Sequence, residues 1–471
     1  KSTWTWSEYL ADAERVAGAL QALGVSPRVE GVTLLGFNSP EWIVASMGVI
    51  IRGAIVTGLY PTDSPAHVAY KTRHVGARVA FVDTVERAAA AYAPSSTPTK
   101  ALALPASLKT IVIMDPDFAA SASPGKPTTM RVTSLAAGAG TEQHQLTTTD
   151  VRVLSWPSFL ALANTTTNNN TTPNANEANN NPANISTFVF TSGTTGLPKA
   201  CALSHDNFVY MARVGVHHTF PAFAQHADER ILSYLPLSHV IAYLIDVVIP
   251  LVATAESPNH VVTTYFALPT DLRSGKLVER LRFARPTLFL GMPRVWEKMA
   301  EKLHDVMAEL PRPQRAALDV ARAASLEYFR ARQANAPPMT VARHASTAAA
   351  EAVADAVLLR RLRAMLGLDE CRLAGTGAAP ISRTTLEFFA SLGLPIYEGY
   401  GASETSGVAT MLVPGKPLLW GSIGPAVPSC EVGIVKFGSG MTPADPVAVL
   451  VPRAKDLMNP AEHEMGEICF R

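Results

Sequence analysis

Phe188-Val189-Phe190-Thr191-Ser192-Gly193-Thr194-Thr195-Gly196-Leu197-Pro198-Lys199 joins an apolar tripeptide of strand character to a run of hydroxyls and glycines that ends in a lysine. Glycine lets a backbone come close to phosphate oxygens, successive exposed N–H groups form an anion nest, and Lys199 adds a mobile positive charge. The G-x-x-x-x-G-K-[ST] spacing of a Walker loop is absent, because Leu197-Pro198 separates Gly196 from Lys199. A phosphate-binding loop directly after a strand is the arrangement of an α/β sheet; an ordinary polar turn is the alternative that so short a stretch leaves open.

The flanking sequence has the same rhythm. Upstream, Ser7 is placed to cap a helix through Leu23, with Leu10, Val16, Leu20 and Leu23 on one face and Gly24 past its end. Val32 to Phe37, Ile55 to Leu59 and Ala77 to Asp83 read as strands, and Glu41 to Ile51 as a helix. Downstream, strands are expected at Ile231 to Leu235, Thr287 to Leu290, Arg372 to Ala374, Pro395 to Tyr397 and Cys430 to Val435. Val295, Met299, Leu303 and Val306 mark an amphipathic helix, and long helices are expected over Gln314 to Arg332 and Ala345 to Leu366, the latter ended by Gly367. Strands alternating with helices predict an α/β fold with mostly parallel sheets covered by helices.

The 471 residues have room for about three domain-sized units, and the formal net charge of +1 gives no global attraction to nucleic acid. Any phosphate binding must therefore be local. Cys201, Cys371, Cys430 and Cys469 lie far apart in sequence, which excludes a disulfide framework or a CxxC metal site and makes a reducing compartment the default. The longest apolar stretches are interrupted by Arg52 and by Asp246 with Pro250, so neither supplies a membrane-spanning helix.

From Ala88 to Asn184 the pattern weakens, with order expected only at Leu108 to Met114 and Val151 to Leu162. Between Asn164 and Asn184, ten of the 21 positions are Asn, a composition that buries too little apolar area to offset its ordering entropy. This tract reads as a flexible insertion. Asn164, Asn170 and Asn184 each begin a glycosylation sequon, which an Asn/Thr-rich tract generates by chance.

Three further constellations could carry chemistry. Tyr397-Glu398-Gly399-Tyr400-Gly401-Ala402-Ser403-Glu404-Thr405 offers aromatic faces beside glycines and, in Glu404, a carboxylate with neighbouring hydroxyls suited to a phosphate-bound Mg²⁺; a strand edge with a capped turn is the plainer reading. It is not a nucleophile elbow, since Thr405 stands where G-x-S-x-G needs glycine. Gly375-Thr376-Gly377-Ala378-Ala379-Pro380 joins a short strand to a helix starting near Ser382 and admits a planar ligand, although a tight turn would read the same. Tyr234-Leu235-Pro236-Leu237-Ser238-His239 sets a histidine at the end of an apolar strand, where a purely structural histidine is the common case. His205, His217 and His218 have no companions at metal-binding spacing.

Taken together and in this order, TSGTTGLPK, YLPLSH, GTGAAP and YEGYGASE resemble the adenylate-forming enzymes: acyl-CoA synthetases, firefly luciferase and peptide-synthetase adenylation domains. SYLPLSHV, GMPRVWEKMAEKL, LAGTGAAPIS and EFFASLGLPIYEGYGASETSG are most similar to long-chain fatty acyl-CoA synthetases of the bubblegum type, from about Ile185 to Ile434 and more loosely over Trp4 to Asp83. The resemblance implies a large N-terminal domain of two mostly parallel, helix-covered sheets plus the start of a small β subdomain. Residues 1–87 would form its first part, 88–184 a partly disordered insertion, 185–430 the ATP- and acyl-binding core, and 431–471 the truncated β subdomain. It implies an ATP-dependent long-chain fatty acid–CoA ligase that works through an acyl-adenylate, with ATP, Mg²⁺ and CoA required.

By the same resemblance Thr191, Ser192, Gly193, Thr194, Thr195, Gly196 and Lys199 would hold the ATP phosphates. Gly377, Ala378, Ala379, Pro380, Glu398, Gly399, Tyr400 and Gly401 would enclose the nucleotide, Tyr400 by stacking, with Ser403 near the α-phosphate. Glu404, with Thr195, would hold Mg²⁺, and His239 would sit beside the reacting carboxylate; Glu404, Lys199 and His239 are the candidate catalytic residues. A cytoplasmic location is implied, with peripheral attachment to the endoplasmic reticulum or another internal membrane as the expectation a lipid-soluble substrate carries.

Two departures stand out. Lys199 is followed by Ala200 where the family has glycine, which would stiffen the loop. The chain ends at Arg471, before the family's ribose-binding Asp, hinge and lysine-bearing lid domain, so the expectation is an N-terminal domain with little or no activity by itself. An aryl-acid or other adenylate-forming ligase, and a non-catalytic acyl- or nucleotide-binding remnant, are the competing readings.

Overall fold

Short apolar strands alternating with side-chain-capped helices build the sheets of the computed structural model, which describes residues 3–92, 103–115, 117–118, 128–136, 145–165, 181–191, 196–219, 228–257, 259–333, 358–436, 449–450 and 467–470. The chain divides into two compact units: one of residues 1–209, 233–248 and 266–274, the other of 210–232, 249–265 and 275–471.

In the first unit, helix α1 (Trp6–Ala22) starts at Thr5, whose hydroxyl accepts the Glu8 N–H while Glu8 reaches back to the Thr5 N–H. That reciprocal cap satisfies two orphan donors and places Ser7 inside the helix rather than at its start. Leu10 stays exposed, and Ala13, Val16, Ala17 and Leu20 form the buried stripe. Strand β1 (Gly31–Leu35), α2 (Pro40–Arg52), β2 (Ile55–Leu59), α3 (Pro65–His74), β3 (Val79–Val82) and α4 (Val85–Tyr92) follow. Helices α2 and α3 are capped by Ser39 and Ser64, each with Pro as the next residue.

The sheet is completed by β4 (Leu104–Pro105), β5 (Thr110–Ile113), β6 (Thr128–Ala136), β7 (Gln145–Ser155), β8 (Ile185–Thr191) and β9 (Lys199–Ser204). Its order is β4-β6-β7-β5-β3-β1-β2-β8-β9, parallel from β7 to β8 and closed by antiparallel pairs β6/β7 and β8/β9. The buried β1, β2, β3 and β5 read as continuous apolar runs because both faces are covered.

The second unit carries a sheet of β10 (Asp228–Ser233), β11 (Val261–Phe266), β12 (Leu288–Leu290), β13 (Leu373–Thr376), β14 (Ile396–Ala402) and β15 (Gly407–Met411), in the order β11-β10-β12-β13-β14-β15. Strands β10, β12, β13 and β14 run parallel, and β15 returns antiparallel. Trp296, fully buried on the helix Pro293–Ala308, packs edge-on against Phe289 at 5.2 Å and Phe389 at 4.8 Å. A small sheet of β16 (Val432–Lys436), β17 (Val449–Leu450) and β18 (Glu467–Phe470) completes it. Among the described residues, no helix is long and apolar enough to cross a membrane.

The region expected to be irregular is richer than its sequence suggests. Strands β6 and β7 form a long antiparallel hairpin, from Thr128 opposite Val153 to Ala136 opposite Gln145. Threonine stands at many of these positions, and its β-branched side chain suits a strand without producing the apolar alternation by which strands are recognised. The central Asn-rich tract lies outside the described residues, as does most of the helix expected from Ala345; its last turns, Arg360–Leu366, end at Gly367 as expected. Helix α3 was not anticipated, its buried face being only Val68, Ala69, Lys71 and Thr72.

Gly367 adopts φ 77°, and a Cβ there would lie 2.2 Å from the Leu281 carbonyl carbon. Gly367→Ala combines left-handed strain of about 1 kcal/mol with a clash against backbone, for an expected loss of at least about 2 kcal/mol. Denaturant unfolding checks this; an unchanged midpoint would show that the helix end can move aside.

Candidate functional site

In an open parallel sheet, binding groups collect beyond the carboxyl ends of the strands. The candidate residues follow that rule in each unit.

In the first unit, Thr191 and Lys199 pair across the mouth of the β8/β9 hairpin, so the glycine- and threonine-rich segment is the connection they close. Lys199 and Gly196 are exposed, while Ser192, Gly193, Thr194 and Thr195 lie outside the described residues. Ala200 pairs with Phe190 inside β9 and packs against the cluster of Val75, Ala77 and Phe190. Its methyl therefore anchors the strand and falls outside the loop expected to be stiffened. Beneath Phe190, the buried Lys71 ammonium bonds Asp63 at 2.6 Å and lies 5.5 Å from the Phe190 ring centroid.

His239 is a helix cap. Its Nδ1 accepts the Ile241 N–H at 3.3 Å at the start of the short helix Val240–Tyr243, six residues beyond the end of β10. Accepting at Nδ1 assigns the ring proton to Nε2, which is left as a donor. Burial holds the imidazole below its ordinary pKa, so the neutral form is the stable one at neutral pH. The chain then passes through a π-helical turn, Leu244–Val248, that buries Asp246. The Ser233 hydroxyl donates to the Asp246 carboxyl, whose pKa burial nonetheless pushes up to about 7.

In the second unit, β13 and β14 release their motifs side by side. Gly377 follows β13, and a Cβ on it would lie 2.9 Å from the Gly399 carbonyl oxygen of β14. Gly291 N–H donates to the Gly375 carbonyl at 2.9 Å and the Trp296 indole N–H at 3.2 Å, which fixes the end of β13. Ala378, Ala379 and Pro380 are exposed, and the Ser382 hydroxyl caps the next helix by accepting the Thr385 N–H.

Strand β14 runs on to Ala402, five residues past its expected end, because Gly399 and Gly401 leave room for β15: a Cβ on Gly401 would meet the Gly407 carbonyl oxygen at 1.9 Å. The hairpin turn is tied by Thr405, whose Oγ1 accepts the Ala402 N–H at 3.0 Å and donates to the Gly407 carbonyl. Glu404 points its exposed carboxylate from this turn, with Ser403 half-buried beside it. Glu398, in contrast, is buried, accepts the Gly421 N–H at 2.9 Å and has its pKa raised by burial. Oxygen donors on an exposed turn suit a hard cation whose remaining ligands come from phosphates and water. No group of three or more His, Cys, Asp or Glu with metal-binding geometry occurs among the described residues.

Tyr400 stacks on Phe470 of β18, with ring centroids 5.6 Å apart and planes 15° apart. Phe470 was not foreseen as part of this site; a single aromatic in a short closing strand carries no signal of what it will face. Asp246 went unforeseen too, having been read only as an interruption of an apolar run.

The family model described as "AMP-binding enzyme" matches residues 1–471. The long-chain-fatty-acid–CoA ligase ACSBG2 of Gallus gallus is 33% identical over 390 residues, covering 83% of this chain and 44% of that protein. The long-chain-fatty-acid–CoA ligase ACSBG1 of Homo sapiens is 31% identical over 432 residues, covering 92% and 52%. The chain thus spans about half the length of the curated relatives it matches. Among solved structures, an anthranilate CoA ligase bound to anthranoyl-AMP is similar at TM-score 0.59 and 17% identity, over 95% of this chain and 62% of that one. The N-terminal domain of FACL13 from Mycobacterium tuberculosis gives TM-score 0.54 and 17% identity, over 92% and 77%. These likenesses show the fold: that of the N-terminal part of adenylate-forming ligases.

The Asp246 carboxyl carries a pH prediction. Its pKa rises from the ordinary 3.8 to about 7 on folding, so the folded state holds the proton more tightly. The stability this gives is complete below about pH 4 and is lost as pH rises through about 7, by up to about 4 kcal/mol at one pKa unit per 1.36 kcal/mol. Asp246→Asn mimics the protonated form, so its Tm should gain on the wild type between pH 5 and pH 8. Parallel curves for the two proteins would refute the assignment.

Proposed function

This chain belongs to the AMP-binding enzyme family, and from that premise we propose that it activates long-chain fatty acids as part of an ATP-dependent CoA ligase. A carboxylate oxygen of the acid attacks the α-phosphorus of ATP, and pyrophosphate leaves with the electron pair of the broken P–O bond. The CoA thiolate then attacks the acyl carbon of the mixed anhydride, and AMP leaves.

The observation that carries this reading is the side-by-side placement of Gly377–Pro380, which leaves the carboxyl end of β13, and Gly399–Glu404, the last residues of β14 and its turn into β15. Both segments present backbone at close range, as a flat base and its phosphates require. The β8/β9 connection supplies a loop chemistry suited to the β- and γ-phosphates, with Lys199 as its cation.

The chemical difficulty is that one anion must approach another. Catalysis here is positioning and charge neutralisation more than nucleophilic attack by a protein group. In this reading Lys199 neutralises phosphate charge, and the Nε2–H of His239 donates to the acid's carboxylate without adding a competing positive charge. Tyr400 offers the base the face that Phe470 leaves free. Glu404 would hold Mg²⁺, which would supply charge neutralisation on the phosphates. Glu398, committed to the Gly421 N–H, braces the strand beneath. The names of the relatives point to long-chain acids. We further propose a cytoplasmic enzyme attached peripherally to membranes, since its substrates partition into lipid.

Acid-dependent ATP–pyrophosphate exchange, measured on the full chain the gene encodes, tests the proposal. Exchange should be supported by palmitate far better than by benzoate or anthranilate; the reverse preference would replace the long-chain reading with an aryl-acid one. Lys199→Ala and Glu404→Gln should each lower the exchange rate by about two to three orders of magnitude, the usual cost of one preorganised charge. Wild-type exchange by Glu404→Gln would move the metal role elsewhere.

A further inference from the structure

Within the first unit, the turn Leu235–His239 is held by a residue 197 positions away from its first member. Asn38 is buried just after β1 and spends its whole amide on this neighbourhood. Its Nδ2 donates to the Leu235 carbonyl at 2.7 Å and to the Ser233 hydroxyl at 2.8 Å, and its Oδ1 accepts the Leu237 N–H at 3.2 Å. The Ser233 hydroxyl in turn donates a hydrogen bond to the Asp246 carboxyl. One planar amide thus reads a carbonyl and an N–H on either side of Pro236, and no other spacing of the turn would satisfy both.

Asn38 is itself braced. Asp83, at the end of β3, accepts the Phe37 N–H at 3.0 Å and is paired with Arg87 at 2.6 Å, whose guanidinium lies 4.9 Å from the Phe37 ring centroid. On the other side, the Ser39 hydroxyl caps α2 by accepting the Trp42 N–H. The backbone is therefore fixed immediately before and after Asn38. The opposite side of the turn rests on Gly58 of β2, where a Cβ would lie 2.7 Å from Ser238 Cα.

We propose that Asn38 is a positioning residue for the reaction: clamped by Asp83 and Ser39, it sets the Leu235–Ser238 turn and through it the His239 imidazole that meets the fatty acid carboxylate. This rests on the role given to His239 above. An ordinary fold contact would need one bond to satisfy a buried backbone group. Three bonds from one preorganised side chain, spread over Ser233 to Leu237, restrain the direction in which the chain enters the His239 cap. Preorganisation of this kind is what holds a hydrogen-bond donor at the distance a reacting group needs.

The test is steady-state exchange kinetics on the full chain with Asn38→Asp, which keeps size and the acceptor for the Leu237 N–H but replaces the amide donor. We expect kcat/KM for palmitate to fall at least tenfold while the KM for ATP stays within twofold and Tm within a few degrees. On a His239→Gln background, the same substitution should cost less than twofold, because Asn38 acts through that imidazole. Gly58→Ala, pressing on the turn from the other side, should reproduce the acid-specific defect. If Asn38→Asp fails to fold, Asn38→Gln is read by the same criteria.

Unchanged palmitate kcat/KM in a folded variant, an equal loss toward ATP, or an undiminished effect beside His239→Gln would each overturn the proposal. Absence of acid-dependent exchange in the unsubstituted protein would overturn the reaction assigned above as well, whereas a defect confined to the substituted proteins bears on Asn38 alone.

Discussion

Parallel pairing of β13 with β14 is the constraint from which the second unit's candidate site follows. Ala374, Gly375 and Thr376 stand opposite Ile396, Tyr397 and Glu398, so the two strands deliver their next residues at the same sheet edge. A side chain at Gly377 or Gly401 would strike backbone, at 2.9 Å and 1.9 Å respectively. Glycine at these points is a requirement of the register, and the surface it leaves is backbone, rich in N–H and C=O groups and free of obstructing side chains. A planar base and a chain of phosphates need such a surface.

The first unit meets a related demand with buried polar groups. Lys71 sits almost entirely out of water with Asp63, under the strand that leads into the threonine-rich connection. Taking two charges out of water costs several kcal/mol per ion, and the mutual attraction returns this only with good geometry. Here Asp63 also accepts the Tyr60 N–H, and the rings of Tyr60 and Phe190 face the ammonium. The pair ties α3 to the ends of β2 and β8. In the same unit, Asn38 donates to the Ser233 hydroxyl, which donates in turn to Asp246. Both clusters lie next to segments that carry candidate chemistry, while the uncharged strands between them bury mainly aliphatic side chains, with Thr33 and Thr57 among them.

What could be read from the sequence was what short-range physics encodes. Strand β2 was expected at Ile55 to Leu59 and occurs there, since a parallel strand buried on both faces is a short run of mostly apolar residues, here set between Gly53 and Pro61. Gly367 was legible as a helix stop because the left-handed conformation is a local property. The motif segments were legible as groups, because Thr191–Lys199, Gly375–Pro380 and Tyr397–Thr405 each concentrate glycine and hydroxyl residues. Long-range partners were not. Nothing near Asn38 announces Leu235, nothing near Tyr400 announces Phe470, and the β6/β7 hairpin hides in threonines that lack an apolar rhythm. His239 was visible as a candidate, but its tautomer depends on the N–H of Ile241 and so on a helix too short to leave a periodic trace.

Backbone strain gives an independent view of the same segments. Among the described residues, positive φ outside glycine occurs at Arg28, Arg285, Ala378 and Ser406. The first and second lie in surface turns, Arg285 at a helix end where its guanidinium meets Asp369 and Glu370. Ala378 and Ser406 lie in the two motif segments of the second unit, at φ 67° and 61°. For a residue with a Cβ this conformation costs about 1–2 kcal/mol, and it persists only where the surroundings dictate it. Glycine would remove the cost at either position and occurs freely in both segments. Ser406 is held by the hairpin turn, through its N–H to the Ser403 carbonyl, which follows from joining β14 to β15 so tightly. Ala378 is exposed and has no such turn to close. Its strain lies in the segment assigned to the base, where a methyl group narrows what can lie flat against Gly377 and limits the loop's own freedom. A residue held in this conformation without a turn to close restricts the segment to fewer shapes, and a segment already restricted has less conformational entropy to lose when it is fixed further.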